Sequence, residues 1–261
     1  MSRSRNIQAV LIDLSGTLHV ENQATPGAVE ALQRLRATDL KLKFVTNTTK
    51  ESRRFLFDRL RQLGFKIDLD EIFTSLSAAC DLIKREKLKP MLIVDDAALE
   101  DFGDVSRFEG KPDSVVVGLA PEKFNRPCLN EALRLLLDGA RLIAIHEGRY
   151  YKTSSGLSLG PGPFVKLLEY AAGVKATVIG KPNAEFFQAA LKSLAILDPH
   201  SAVMIGDDVR DDVGGAQQLN MAGYLVRTGK YRVGDELKIE PKPFKIVDNF
   251  ASAVDNLIDS L

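Results

Sequence analysis

An α/β fold built on a parallel sheet, with a second α/β unit inserted into it, follows from three observations on this sequence. Short β-branched runs alternate with amphipathic segments, the rhythm of strands joined by crossover helices. A segment at 77–177 carries strand and helix signals of its own, and the earlier pattern resumes only at residue 178. Polar residues able to do chemistry stand at the ends of the predicted strands on both sides of that insertion.

The first strand is read at IQAVLID (7–13), followed by a turn at Gly16. Thr25 and Pro26 are expected to open a helix as cap and first-turn residue, with Ala28, Val29, Leu32 and Leu35 on one face. KLKFVT (41–46) is the second strand. Ser52 can cap a helix whose Leu56, Leu60 and Leu63 share a face before Gly64 stops it. Inside the insertion, MLIVDD, SVVVG, RLIAIHEG and YYK read as strands, and LNEALRLLLDG as a helix. The core is expected to return with TVIGKP, a helix at 184–194, AVMIGDD, a helix near 214–219, GYLVRTG and a last helix at 250–258. GLSLGPGP (156–163) and KIEPKPFK (238–245) are expected to be turns or boundaries. The domains are therefore a discontinuous core, 1–76 with 178–261, and an inserted unit, 77–177.

At 261 residues and 45% hydrophobic content the chain can bury a substantial core. Lys plus Arg and Asp plus Glu balance at 35 each, so no charge excess recommends nucleic acid or an anionic membrane as partner. The N-terminal apolar run is short and broken by Asp13, which fits neither a signal peptide nor a spanning helix and makes the cytoplasm the expected location. Cys80 and Cys128 lie far apart and form no CxxC pair, so both are read as buried thiols rather than as a disulfide.

In an open parallel sheet, ligands bind beyond the carboxyl ends of the strands, where strand order reverses. That edge should carry Asp13, Thr46 and Asn47, Lys181, and Asp207, Asp208 and Asp212. Each has a task if the substrate is a phosphate. Asp13 can take a phosphoryl group covalently. Asp13 and Asp207 offer the hard oxygens that magnesium prefers, with a backbone carbonyl near Ser15 completing the set, and Asp208 and Asp212 nearby or just outside it. Thr46 and Asn47 can donate to phosphoryl oxygens, and Lys181 adds a point charge where the transition state spreads negative charge. Taken singly, each of these is an ordinary turn, cap or solvated charge; four in order, each ending a strand, point to a site.

Asp13 to Thr17, Thr46–Asn47, Lys181 and Gly206 to Asp212 together resemble the four motifs of the haloacid dehalogenase-like hydrolase superfamily. The insertion, with GLAPEKF, RLIAIHEG and GLSLGPGPFVKLLEYAAG, resembles the C2-type cap of the branch that contains NagD and the para-nitrophenylphosphatase-like enzymes. The resemblance implies a Rossmann-like core, a cap that sets specificity, magnesium, and a small phosphorylated substrate or phosphorylated side chain. It also implies pairing into a homodimer through the cap as an arrangement open to this chain.

One position departs from the usual phosphatase pattern. The acid/base Asp expected two residues after the nucleophile is Ser15 here. Losing such a group typically removes about 10²- to 10⁴-fold of rate. The expected substrates are therefore phosphoramidates, acyl phosphates or pyrophosphate, whose leaving groups need less help. Members of the branch linked to phosphorus–nitrogen and pyrophosphate bonds share this serine. His19 and His146 are candidate replacements for the missing acid, each weighed against a purely packing role. The alternative to an active enzyme is a catalytically weak magnesium-binding protein that serves as a binding partner. Dehalogenation leaves three carboxylates without a task.

Overall fold

The computed structural model describes residues 5–106, 110–153 and 155–261. The chain opens with β1 (Ala9–Ile12), a small antiparallel flap of β2 (His19–Val20) and β3 (Gln23–Ala24), then α1 (Ala28–Arg36), β4 (Lys41–Thr46), α2 (Arg53–Gln62), β5 (Ile72–Thr74) and α3 (Ser75–Glu86). The middle runs through β6 (Pro90–Ile93), α4 (Leu99–Phe102), β7 (Ser114–Val117), α5 (Arg126–Leu137), β8 (Arg141–Ala144), the antiparallel hairpin β9 (Tyr150–Thr153) and β10 (Gly156–Leu159), α6 (Gly162–Ala172) and β11 (Thr177–Val178). The last part adds α7 (Ala184–Ser193), β12 (Ala202–Gly206), α8 (Gly215–Gln218), β13 (Ala222–Val226), β14 (Lys245–Val247) and α9 (Phe250–Ile258).

Among the described residues two parallel sheets form, ordered β14-β13-β12-β1-β4-β5 and β11-β8-β7-β6. In the larger sheet β1 pairs with β4 on one side and β12 on the other, so strand order reverses at β1 and β12. The parallel-sheet rule therefore places the crevice beyond Ile12 and Gly206.

Both sheets are covered on both faces, and the strands alternate accordingly. Val10, Ile12 and Phe44 pack under Leu32, Leu56 and Phe250 of α1, α2 and α9, while Leu11, Val45 and Met204 turn the other way onto Phe187 of α7. In the smaller sheet Val116 and Ile143 meet Leu76 and Ile83 of α3, and Val115 and Val117 meet α5 and α6. Helix α3 thus follows β5 of the larger sheet in sequence but packs on the smaller one.

Four expectations need correction. Helix α1 begins at Ala28, not at Pro26: Gly27 turns with φ 71°, and the Thr25 hydroxyl donates to the carbonyls of Thr17 and Leu18 instead of capping. TVIGKP does not rejoin the larger sheet, because β11 pairs with β8. Residues 156–159 form a strand rather than a turn. Cys128, expected to be a buried thiol, is only partly buried. The helix expected near 214–219 does form, at Gly215–Gln218, after a π-turn, Val209–Gly214, with Asp208 at its head. Ser52 does cap α2, accepting from Phe55 N–H.

Phe44 is fully buried, so Phe44→Ala should destabilise the protein by about 3–5 kcal/mol in urea unfolding. Leu197→Ala, at a side chain 93% exposed, should stay within about 0.5 kcal/mol of wild type.

Candidate active site

The strand ends of the two sheets share one cavity of about 330 Å³. Asp13 and Thr46 reach it from β1 and β4, and Leu119 and His146 from beyond β7 and β8. Lys181 reaches it from beyond β11, so the smaller sheet delivers the lysine to the crevice of the larger one.

Lys181 is buried, and its ammonium has three donors with three recorded acceptors: Asp13 Oδ1 and Asp212 Oδ1, each at 2.6 Å, and the Val45 carbonyl at 3.1 Å. Burial alone would lower its pKa, but Asp13 and Asp212 outweigh burial and hold the pKa above the ordinary lysine value. The other Asp13 oxygen accepts from the Thr17 hydroxyl at 3.2 Å. Asn47 clamps the lysine's backbone, its amide donating to Lys181 O at 2.9 Å while its Oδ1 accepts from Lys181 N–H at 3.0 Å. Thr46 and Thr48 exchange a hydroxyl hydrogen bond of 2.9 Å.

Asp207 is buried opposite. Its Oδ2 accepts from Lys230 N–H at 2.6 Å, and its Oδ1 has no partner among the described residues. Two glycines make room for this carboxylate: a Cβ at Gly16 or at Gly229 would stand 2.1 Å from Oδ2, and both residues have positive φ. Asp13, Asp207 and Asp212 each bring an oxygen within 4.8 Å of the others. Burial raises the Asp207 pKa well above the carboxylate range, with Asp13 and Asp212 adding to the effect and Lys230 opposing it. Burial also raises Asp212, to about 6, against the pull of Lys181. An orphaned buried oxygen beside two further carboxylates is a set of hard donors that fits a divalent cation.

The sequence expectation put Asp13, the Ser15 carbonyl and Asp207 around that cation and Asp208 and Asp212 just outside it. In the structure Asp212 joins the three-carboxylate cluster, and Ser15 is an exposed residue on the cavity wall. Asp208 faces elsewhere, capping the N–H groups of Arg210 and Asp211 and pairing with Lys230 Nζ at 2.9 Å. Burial works to raise its pKa, but Lys230 and those N–H groups overcome it and hold Asp208 below its ordinary value.

Sequence reasoning missed Lys230, Asp211 and Thr49, all on the cavity wall. Lys230 follows the strand read at GYLVRTG, so the strand-end rule applied once more would have found it. Burial pushes both candidate histidines, His146 and His19, toward the neutral form. Burial, with Lys230 and Lys181 nearby, lowers His146 to about 3, and burial and Arg59 lower His19 to about 4. Neither can therefore serve as an imidazolium acid near neutral pH.

Comparison with known proteins shows the family. A haloacid dehalogenase-like hydrolase model matches residues 10–105, and a HAD-hydrolase-like model matches residues 178–253. The chain belongs to the haloacid dehalogenase-like hydrolase family. It is 57% identical to haloacid dehalogenase-like hydrolase domain-containing protein 2 of Homo sapiens, with 100% of both chains covered. It is 42% identical to the phospholysine phosphohistidine inorganic pyrophosphate phosphatase of Homo sapiens, over 98% of this chain and 96% of that one. Glycerol phosphate phosphatase from Mycobacterium tuberculosis, solved in complex with magnesium, has a TM-score of 0.82 and 28% identity over 95% of this chain and 76% of the other. The family, the α/β fold and the hydrolase class of the phosphatase type stand as the sequence led us to expect. Among the described residues no helix is long and apolar enough to cross a membrane.

His146 supports a pH prediction. Its folded pKa lies below its ordinary value of 6.5, so the unfolded chain takes up a proton that the folded one refuses. Its contribution to stability is complete above pH 6.5 and is lost as pH falls toward 3. Below pH 6.5, urea unfolding of wild type should weaken with acid more steeply than that of His146→Gln, by up to about 1.4 kcal/mol per pH unit. Parallel profiles would contradict the buried neutral state.

Proposed function

We propose that this protein is a magnesium-dependent phosphohydrolase that forms an aspartyl-phosphate on Asp13 and acts on acyl-phosphate, pyrophosphate or phosphoramidate bonds. The observation that carries the reading is the Lys181 ammonium shared between Asp13 and Asp212 beside the unpartnered oxygen of Asp207. Asp13, Asp207 and the Ser15 carbonyl would hold the cation, with Asp212 alongside. When bound, it would screen the charge between the Asp13 carboxylate and the phosphoryl anion.

An Asp13 oxygen attacks phosphorus, the bond to the leaving atom breaks with its electron pair, and water then cleaves the acyl phosphate to restore the carboxylate. Lys181 stabilises negative charge on the phosphoryl oxygens and holds the Asp13 carboxylate in place. The Thr46 hydroxyl, when Thr48 is the donor of the bond they share, and the second N–H of Asn47 can donate to phosphoryl oxygens, while Asn47 fixes Lys181 through its backbone. Residues 77–177 act as the cap and roof the cavity with Leu119, His146 and Tyr151.

Ser15 lines the cavity but carries no group able to protonate an alkoxide near neutral pH, which favours bonds with better leaving groups. The substrates printed in the name of the 42% identical relative, phospholysine, phosphohistidine and inorganic pyrophosphate, belong to this class. The substrate is a small phosphorylated molecule or a phosphorylated side chain.

Hydrolysis of a phosphomonoester and a phosphoramidate, with magnesium, by wild type, Asp13→Asn and Ser15→Asp tests the reading. Wild type should cleave the phosphoramidate, Asp13→Asn should fall to background, and Ser15→Asp should gain about 10²-fold or more on the monoester. If wild type cleaves neither substrate and Ser15→Asp restores neither, the enzymatic reading fails.

A further inference from the structure

Thr49 joins the two sheets at the cavity. It stands three residues beyond the end of β4, is 1% exposed, and lines the cavity wall. Its hydroxyl oxygen accepts from Leu119 N–H at 2.8 Å and lies 3.4 Å from His146 Nε2.

The direction of the second contact follows from the other side of the ring. Gly148 N–H donates to His146 Nδ1 at 3.1 Å, so Nδ1 holds the lone pair and the proton of the neutral imidazole sits on Nε2. Nε2–H therefore donates to Thr49 Oγ1. A hydroxyl oxygen has two acceptor positions, and Leu119 and His146 occupy both. The hydroxyl's own hydrogen must point away from them, and no described residue is recorded as accepting it. Two donors feeding one hydroxyl also polarise it, which strengthens what it can donate.

We propose that the Thr49 hydroxyl, aimed by Leu119 and His146, donates a hydrogen bond to the leaving atom of the substrate. The inference rests on the phosphohydrolase reading given above. Its partners come from the strand ends of the smaller sheet and Asp13 from a strand end of the larger, and in an in-line displacement the leaving atom lies opposite the attacking one. As the Asp13 oxygen bonds to phosphorus, the breaking bond leaves its electron pair on the departing atom, and that pair accepts the Thr49 hydrogen bond. No proton leaves Thr49. Of the other cations on the cavity wall, Lys181 is held by two carboxylates, Lys230 by Asp208 and Arg59 by Glu51, and Lys50 lies over the Tyr151 ring.

Specificity follows from a donor of this kind. A departing oxyanion, from an acyl phosphate or pyrophosphate, can accept the bond. An amine nitrogen protonated before it leaves departs neutral, so the pair it gains carries less charge and accepts a weaker bond. Thr49 thus selects oxygen leaving groups among the bonds open to a site lacking an acid at Ser15.

Steady-state kinetics of wild type, Thr49→Val, Thr49→Ser and Asp13→Asn test this, with magnesium, on acetyl phosphate, pyrophosphate, phosphoramidate and a series of aryl phosphates. Thr49→Val should lose about 10- to 100-fold in kcat/KM on acetyl phosphate and pyrophosphate. It should lose less on phosphoramidate and depend more steeply on the pKa of the leaving phenol. Thr49→Ser should return both rate and slope to near wild type. An equal loss on every substrate with an unchanged slope makes Thr49 a strut between the sheets and overturns the proposal. So does a serine variant that rescues nothing while Asp13→Asn is inactive. Wild-type-like turnover by Asp13→Asn instead overturns the aspartyl-phosphate reading beneath it.

Discussion

The Lys181 ammonium is the interaction on which the rest of the site depends. Asp13, Asp207 and Asp212 are buried with oxygens within 4.8 Å of one another, an arrangement that like-charge repulsion and lost hydration would otherwise open. Lys181 offsets part of that cost by bridging two of the three. Removing one partner of a buried ion pair typically costs about 3–5 kcal/mol, because the other charge stays buried and alone. The pair is thus a device for holding a strained cluster of charge in place for chemistry, not a source of net stability.

The route by which this lysine arrives ties chemistry to architecture. It hangs from β11 of the smaller sheet, with Ile179 and Gly180 donating to the carbonyls of Ala144 and Ile145. Docking the smaller sheet and charging the crevice of the larger one are therefore a single structural event. The junction is reinforced at the head of α2, whose free N–H groups need acceptors. Asp101 accepts from Arg53 N–H, Glu100 accepts from the Ser52 hydroxyl, and Ala97 O accepts from Ser52 N–H, so residues just beyond β6 complete a helix that packs on the larger sheet.

What the sequence made legible is what strand patterning and strand-end chemistry control. β1, β4 and β12 could be read from their apolar runs, and the parallel-sheet rule then marked Asp13, Thr46 and Asp207 as neighbours, which the structure brings to one crevice. Ser52 as a cap was legible because its task is local. Arrangements fixed by distant partners were not. β11 reads as a strand but nothing in TVIGKP says which sheet it joins. Asp208 and Asp212 differ in sequence only by their place on one turn, yet the first turns to Lys230 and the second to Lys181. Asn47 was expected to face a phosphate, and its carboxamide is also the clamp on a backbone far along the chain. Thr49 meets Leu119 and His146, contacts no local pattern encodes.

The central claim is that Asp13 carries the phosphoryl group during turnover. Acid-quenched intact mass and peptide mapping, taken while the magnesium-loaded protein turns over acetyl phosphate, test it most directly. The account predicts a mass gain of one phosphoryl group on the peptide containing Asp13, rising with substrate and decaying once the substrate is spent. Turnover accompanied by an adduct on another side chain, or by none at any quench time, would contradict it.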